Sequence, residues 1–387
     1  MTKEETIQKI LFNADRIIDC EALFGKKKLK IKWGCDPTNP NLHLGHYVIL
    51  KKLALFQELG HEVQLLIGDF TALIGDPTDK SQTRPRITKK EVDHNGKNYL
   101  EQALLILDPH LTKCYYNSEW LSPITLEKII EISSTISVQH LLNRRDFKNR
   151  LENNQPLHLH ELFYSVLSGY DSYILDCDIE VGGKDQELNI LVGRLIQRNF
   201  GQREQGIITF PLLRGLDGLN KMSKSQNNFI GLNEDYIYGK IMSISDQLME
   251  EYYNILQISL PNYIPSYVNE KKFLKEHLSF TIISEIHHLE RAQKEKELFH
   301  QHIKEKSNEV YTQSFKYILK FDKTLLRRML VELGLLKSTS DVIKLIEQRG
   351  LQENGKIIEN KDYLVSLGIF IYRIGKRQIV RVSIEQN

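Results

Sequence analysis

The chain has 387 residues, with 52 Lys+Arg against 50 Asp+Glu, 41% hydrophobic residues and 26% charged. That length suits two or three domains with cores of their own, and the ordinary apolar-to-charged balance, with few Gly and Pro, excludes a disordered or collagen-like chain. Four cysteines, Cys20, Cys35, Cys114 and Cys177, share no short CxxC spacing, so neither a disulfide framework nor a protein metal site is indicated, and a reducing compartment is expected.

In chain order, Thr2 and Glu5 stand at capping-box spacing. Ile7, Ile10, Leu11, Ala14, Ile17 and Ile18 follow at helical intervals, which predicts an amphipathic helix over 2–18. LKIKWG (29–34) reads as a strand, DPTNPN (36–41) as a turn and 42–59 as a helix ended by Gly60; VQLLIGD (63–69) reads as a buried strand. Strand, turn, helix, strand is the pattern of a βαβ unit in a parallel sheet. Residues 85–170 read as polar and helical. LDCDIEVGGKDQ (175–186) and GIITFPLL (206–213) read as strands ending in loops, and 230–320 as charged helix. The tail predicts helices near 324–333 and 341–349, a turn at Asn354–Gly355, and strands in IFIYRI and RQIVRV. The charged first twenty residues lack a signal-peptide core, and no run approaches the roughly 18 apolar residues of a spanning helix. A cytoplasmic protein without a membrane partner is expected.

The formal net charge of +2 conceals an asymmetry. From Lys323 onward twelve Lys/Arg accompany seven Asp/Glu, a net +5, which leaves −3 for the rest. A basic module on a slightly acidic body is the electrostatic footprint of a polyanion binder, although charge alone also fits a solvated surface.

Two short motifs carry the chemistry. His43-Leu44-Gly45-His46 falls where a βα turn enters a helix, a place where free N–H groups and the helix dipole favour an anion. The two imidazoles share one helix face, and Gly45 permits close approach. Lys221-Met222-Ser223-Lys224-Ser225 follows the loop RGLDGLN, and its two lysines suit a polyphosphate. GDPTDKS lacks the P-loop spacing. HLGH and KMSKS together resemble the signatures of class I aminoacyl-tRNA synthetases. DPTNPNLHLGH, GDFTALIGDPTDKSQTRP, HELFYSVLSGYDS, VGGKDQELNILVGR and PLLRGLDGLNKMSKS resemble successive blocks of the bacterial tyrosyl-tRNA synthetases, and residues after 323 resemble their S4 RNA-binding domain.

That resemblance implies an α/β chain in three parts. A Rossmann-like parallel-sheet catalytic domain would span 1–228, with a helical insertion over about 85–165; a helical anticodon-side domain would span 229–322; a small α+β S4-like domain would span 323–387. It implies activation of L-tyrosine by ATP, with Mg2+, then transfer to tRNA-Tyr, in a homodimer. Thr38 and His43 would hold the γ-phosphate side, His46 and Gly45 the ribose and base, and Lys221 and Lys224 the pyrophosphate. Asp36, Gly183, Asp185 and Met222 complete the ATP site. Asp76 and Tyr164 would hold the amino group, Gln186 the carboxylate, and Asp171 the phenolic hydroxyl. Arg327, Arg328, Lys344, Arg349, Lys376 and Arg377 would face RNA.

Some positions depart from the pattern. Ser168 replaces a glutamine near the amino group, Lys184 puts a positive charge beside the ribose contact, Asp79 replaces a glycine, and Ala72 is a milder change. Without the resemblance, Asp76 reads as a turn cap and Asp171 as a helix-surface acid. The departures keep open a paralogue that transfers a tyrosine-like acid to a non-tRNA acceptor, and a non-catalytic RNA-binding protein.

Overall fold

A computed structural model describes residues 2–77, 87–266, 269–305, 313–319, 324–375 and 378–386, so Asp79, Lys376 and Arg377 lie outside the described residues. Helices are α1 (Lys3–Leu11), α2 (Leu44–Glu58), α3 (Thr71–Ile74), α4 (Lys89–Ala103), α5 (Ser118–Leu121), α6 (Leu126–Ser133), α7 (Val138–Leu142) and α8 (Arg145–Glu152). They continue with α9 (Leu159–Leu175), α10 (Glu187–Asn199), α11 (Ile237–Met242), α12 (Asp246–Ile255), α13 (Glu270–Glu305), α14 (Leu326–Glu332) and α15 (Thr339–Glu347). Strands are β1 (Arg16–Ile18), β2 (Lys30–Cys35), β3 (Glu62–Ile67), β4 (Thr112–Tyr116), β5 (Ile179–Gly183) and β6 (Gly206–Phe210). A second set comprises β7 (Gln313–Leu319), β8 (Leu351–Glu353), β9 (Lys356–Ile357), β10 (Gly368–Ile374) and β11 (Gln378–Gln386).

The chain divides into two compact units, Met1–Asn233 with Gln247–Ser259, and Glu234–Asp246 with Leu260–Asn387. The first is built on a six-stranded sheet in the order β1-β6-β5-β2-β3-β4. β2, β3, β4, β5 and β6 are parallel, and only β1 runs antiparallel to its neighbour. Residues of β3 and β6 are buried along their whole length, as expected for parallel strands covered by helices on both faces. The order reverses between β2 and β5, so the crevice beyond their carboxyl ends is the ligand position of a doubly wound sheet.

The predicted βαβ unit is present: β2 pairs in parallel with β3, with Lys30 opposite Glu62 and Cys35 opposite Ile67. The helix expected over 2–18 is not. The capping box forms, with Thr2 accepting from the Glu5 N–H and Glu5 accepting from the Thr2 N–H, but α1 ends at Leu11. Asn13 then takes a positive φ of 59°, and Arg16–Ile18 pair with Thr209–Ile207 as the edge strand. Ile17 and Ile18 fit the helical period, yet β-branched residues beside an open sheet edge gain more from the ladder.

The region read as wholly helical from 85 also contains β4, which pairs in parallel with β3. The stretch read as helical to 320 ends in β7, parallel to β11. In both places the partner strand, invisible locally, decides the conformation. α13 is kinked at His288, whose φ is 70°.

In the second unit, β7-β11-β10-β8-β9 form a five-stranded sheet. Its core joins Leu326, Met329, Leu330, Val342, Ile346, Tyr372, Val380 and Val382. The Asn354–Gly355 turn links β8 and β9 with both residues at positive φ, 47° and 81°, as a two-residue hairpin requires. Tyr372 and Tyr363 both donate to the Glu353 carboxylate, which satisfies the buried phenol of Tyr372. Among the described residues no helix is long and apolar enough to cross a membrane.

Candidate active site

The candidate residues of the first unit converge on the carboxyl ends of β2, β3, β5 and β6. β2 leads into Asp36, Thr38 and the HLGH turn; β3 leads into Thr71 and Asp76; β5 ends at Gly183; β6 leads into the KMSKS loop. α9 crosses beneath with Tyr164, Ser168 and Asp171, a spacing that puts the three on one helix face.

His43 is the N-cap of α2. Its Nδ1 accepts from the Gly45 N–H at 3.1 Å, and the His46 Nδ1 accepts from the His43 N–H at 3.1 Å. Their ring centroids lie 3.9 Å apart. A Cβ on Gly45 would stand 2.9 Å from the His43 ring, so glycine leaves room for this close, tilted ring pair. Burial, then the Lys224 charge, push the His46 pKa down to about 3. Burial, His46 and the two lysines hold His43 well below its ordinary value. Both imidazoles are therefore neutral at physiological pH, with Nδ1 accepting and the proton on Nε2.

One side chain ties the KMSKS loop to the segment before it. Asn228, almost fully buried, accepts from the Ser223 N–H at 2.8 Å and donates to the Asp217 carboxylate at 3.0 Å and the Lys221 carbonyl at 3.2 Å. A Cβ on Gly215 would fall 2.2 Å from the Asn228 side chain. Burial raises the Asp217 pKa, but hydrogen bonds from Asn220, the Leu219 N–H and Asn228 outweigh it and hold the carboxyl at about 2. Lys221 donates to Asp185 at 2.8 Å. Lys224 donates to the Tyr99 hydroxyl at 2.9 Å and sits 4.9 Å above that ring. Asn228→Ala removes three hydrogen bonds from this loop, and we expect the KM for ATP to rise about tenfold while that for the amino acid is unchanged. Steady-state pyrophosphate exchange separates the two.

Asp171 is not a surface acid: it is 2% exposed. Its Oδ1 accepts from the Trp120 indole at 2.8 Å and its Oδ2 from Asn117 at 3.1 Å. Asn117 also donates to Thr71, which donates to Asp36 at 2.8 Å, so a chain of hydrogen bonds runs from Asp171 to the start of the HLGH segment. Burial pushes the Asp171 pKa up to about 7, against the opposing pull of Lys32, Asn117 and Trp120. A Cβ on Gly68 would fall 2.0 Å from Asp36 and 2.4 Å from Thr71, which makes that glycine indispensable to the chain of bonds.

Asp76 accepts from Gln186 at 2.8 Å. Gln186 in turn accepts from Asn189, and Asn189 accepts from Ser165 and Arg144. Arg144 is buried and also pairs with Asp146. Tyr164 is buried and Ser168 half-buried on the same helix face as Asp171. Met222 is buried in the loop. Ala72 is buried in α3.

The Lys184 ammonium pairs with Asp15 at 2.7 Å, which directs that charge to the segment before β1.

Sequence reasoning missed Asn117, Trp120, Thr71, Tyr99 and Arg144, and noted Asn228 only as part of the QNN that follows KMSKS. Asn117, Trp120, Thr71 and Tyr99 lie far along the chain from the partners given above, so no local spacing connects them. Among the described residues no group of three or more His, Cys, Asp or Glu could hold a metal ion.

In the second unit Arg327 pairs with Asp362, Arg328 with Glu332 and Arg349 with Glu359, while Lys344 is exposed on α15. Exposed pairs of this kind are worth little and exchange readily for a phosphate.

Comparison with known proteins agrees with this geometry. Residues 25–316 match the family of tRNA synthetases class I (W and Y). A protein named tyrosine–tRNA ligase from Haemophilus influenzae is 41% identical over 98% of this chain and 95% of its own length. One of the same name from Geobacter metallireducens is 42% identical over 92% of this chain and 90% of its own. Among solved structures, a C-terminally truncated Aspergillus nidulans mitochondrial tyrosyl-tRNA synthetase superposes with a TM-score of 0.62, covering 78% of this chain and 94% of that one at 20% identity. A tyrosyl-tRNA synthetase from Archaeoglobus fulgidus complexed with L-tyrosine gives a TM-score of 0.52 at 21% identity, over 75% of this chain and 82% of that one. With a doubly wound sheet, HLGH and KMSKS at its carboxyl edge and relatives matched almost end to end, the chain belongs to the class I tRNA synthetases (W and Y).

Proposed function

We propose that the protein is a tyrosine–tRNA ligase. The observation that carries the amino-acid assignment is Asp171, a buried carboxylate at the floor of the site with its own donors already fixed. It is suited to accept the substrate's phenolic hydroxyl and to leave phenylalanine with an unpaired acceptor. Asp76 and Tyr164 would hold the α-amino group and Gln186 the carboxylate, with Ser168 reaching the amino group through a water. The carboxylate oxygen attacks the α-phosphorus of ATP and pyrophosphate leaves. The terminal ribose hydroxyl of tRNA-Tyr then attacks the acyl carbon and AMP leaves.

On this reading Thr38 and His43 donate to the γ-phosphate side, Gly45 and His46 meet the ribose and base, and Asp36 and Met222 complete the ATP site. Gly183 and Asp185 reach the ribose once Lys221 has moved to the phosphates. Because both histidines are neutral, they act through N–H groups, and the lysines supply the positive charge. Mg2+ would come with the nucleotide's own phosphates, as is usual for that ion.

The domain division at 228 and 322, with the S4-like module from 323, remains part of this proposal. So does RNA binding through Arg327, Arg328, Lys344 and Arg349, with Lys376 and Arg377 beyond the described residues. Binding there should weaken steeply as salt rises. A homodimer through residues 85–165 is supported by the exposed apolar side chains Leu126, Ile130, Val138 and Leu159. Sedimentation is expected to give twice the chain mass, and a monomer at micromolar concentration would count against it. A cytoplasmic setting accords with a substrate set of this kind.

The test is tyrosine-dependent ATP–pyrophosphate exchange followed by charging of tRNA-Tyr. Exchange independent of tyrosine would defeat the reading. Normal adenylate formation without tRNA charging would favour transfer to another acceptor.

A further inference from the structure

Below Asp171 lies a second buried charge cluster that the reaction as described does not use. Lys32, at the centre of β2 and 1% exposed, donates to Glu180 Oε1 at 2.7 Å and to the Ser172 hydroxyl at 2.7 Å. Ser172 neighbours Asp171 on α9 and donates to Glu180 Oε2 at 2.7 Å. Gln205 also donates to Glu180, and its Oε1 accepts from Cys177 at 2.7 Å. Every polar group of the cluster is thus engaged, with Lys32 paired to Glu180 and bonded to the residue that follows Asp171.

A buried lysine in a central strand is costly, and replacing such a pair by apolar residues commonly stabilises a protein. Its bond to Ser172, the chain neighbour of the specificity carboxylate, gives a reason for keeping it. We propose that Lys32 is a positioning residue for substrate choice: its ammonium, fixed by Glu180 and by the hydroxyl of Ser172, the chain neighbour of Asp171, favours the ionised form of Asp171 that accepts from the tyrosine phenol. This rests on the proposed function above.

The charges that act on Asp171 are Lys32 on β2 and Glu180 on β5, while Asn117 and Trp120 are neutral donors from the segment around α5. Asp36 is reached only through Thr71 and Asn117. Burial pushes the Cys177 thiol up, so it stays protonated and adds no charge. Lys32 favours ionisation of Asp171 and Glu180 opposes it. Burial works against the Lys32 charge itself, but the charge and hydrogen bond of Glu180, joined by Asp171 and Cys177, outweigh it, so the ammonium persists.

The two members of the pair therefore have opposite effects, which a structural role would not produce. The acid limb of kcat/KM for tyrosine in pyrophosphate exchange is to be measured for the wild type, Glu180→Gln and Lys32→Met/Glu180→Gln. Glu180→Gln leaves Lys32 to Asp171 alone and should move the limb down by about one pH unit. The double variant should move it up again, past the wild-type position. Selectivity for tyrosine over phenylalanine at pH 7 should fall about tenfold in the double variant relative to Glu180→Gln. Phenylalanine exchange has no phenol to report the limb, and ATP binding with thermal melting shows that each variant folds. Should the double variant not fold, Lys32→Gln/Glu180→Gln, which keeps a polar pair without charge, takes its place and should shift the limb the same way. Folded variants whose limb stays at the wild-type pH would overturn the proposal. Absence of tyrosine-dependent exchange in the wild type would instead overturn the functional reading.

Discussion

Asp171→Asn is expected to lower kcat/KM for tyrosine by about two to four orders of magnitude while leaving phenylalanine nearly unaffected, so that selectivity between them collapses. The carboxylate is held by two donors, Trp120 and Asn117, one on each oxygen. An amide can satisfy only one of them with its oxygen and turns N–H against the other, a cost of about 1–3 kcal/mol in a buried site. The substrate hydroxyl then meets a poorer, uncharged acceptor. The pH profile should report the same group. With the Asp171 pKa raised to about 7 by burial, the capacity to accept from a phenol is present above that value and lost below it. The wild type should show that acid limb for tyrosine and the variant should not. The sign for stability is opposite. A carboxyl whose pKa is raised in the folded state contributes stability that is full below its unfolded value and lost as pH rises through about 7. Ionised Asp171 is therefore a burden on the fold at the pH where it would be useful. A tyrosine limb that persists unchanged in Asp171→Asn would assign it to another group.

Lys221→Ala and Lys224→Ala are expected each to lower kcat for adenylate formation about a hundredfold, with little change in the KM for tyrosine. In the free protein both ammonium groups are parked, Lys221 on Asp185 and Lys224 on Tyr99. A triphosphate offers far more negative charge than either partner, and the charge that develops on the leaving pyrophosphate offers more again, so the loss falls on kcat. Tyr99→Phe keeps the ring under Lys224 and should leave kcat nearly unchanged. Single-turnover adenylate formation would separate these outcomes, and a loss confined to the tyrosine KM would contradict them.

Much of the fold was legible because the relevant signals are local. The β2–α2–β3 unit has its turn residues, its helix period and its terminal glycine in one stretch, and the Asn354–Gly355 hairpin is specified by two residues. β1, β4 and β7 were not legible, because each is a short segment made a strand by a partner distant in sequence. The same divide runs through the site. HLGH and KMSKS are contiguous and were found as motifs, and Asp171 and Asp76 stood out only through resemblance to a family. Trp120, Asn117 and Thr71, which fix Asp171, come from other elements, and no spacing rule connects them to it. Lys184 shows the converse: the position was noticed, but its side chain reaches Asp15, a residue no local pattern pairs with it.

Helix α9 also divides mutational tolerance unevenly. Positions 164, 168 and 171 share the face turned to the site, whereas Ser165 and Ser172 are tied into separate buried networks, one ending at Arg144 and the other at Lys32. A library meant to re-aim the pocket toward other aromatic amino acids can vary the first three and should leave the two serines fixed. Variants at 165 or 172 would be lost to misfolding before their selectivity could be scored, and neutral substitutions at 171 leave the Lys32–Glu180 pair balanced. The same helix can thus diverge quickly in what it recognises while changing slowly in what it rests on.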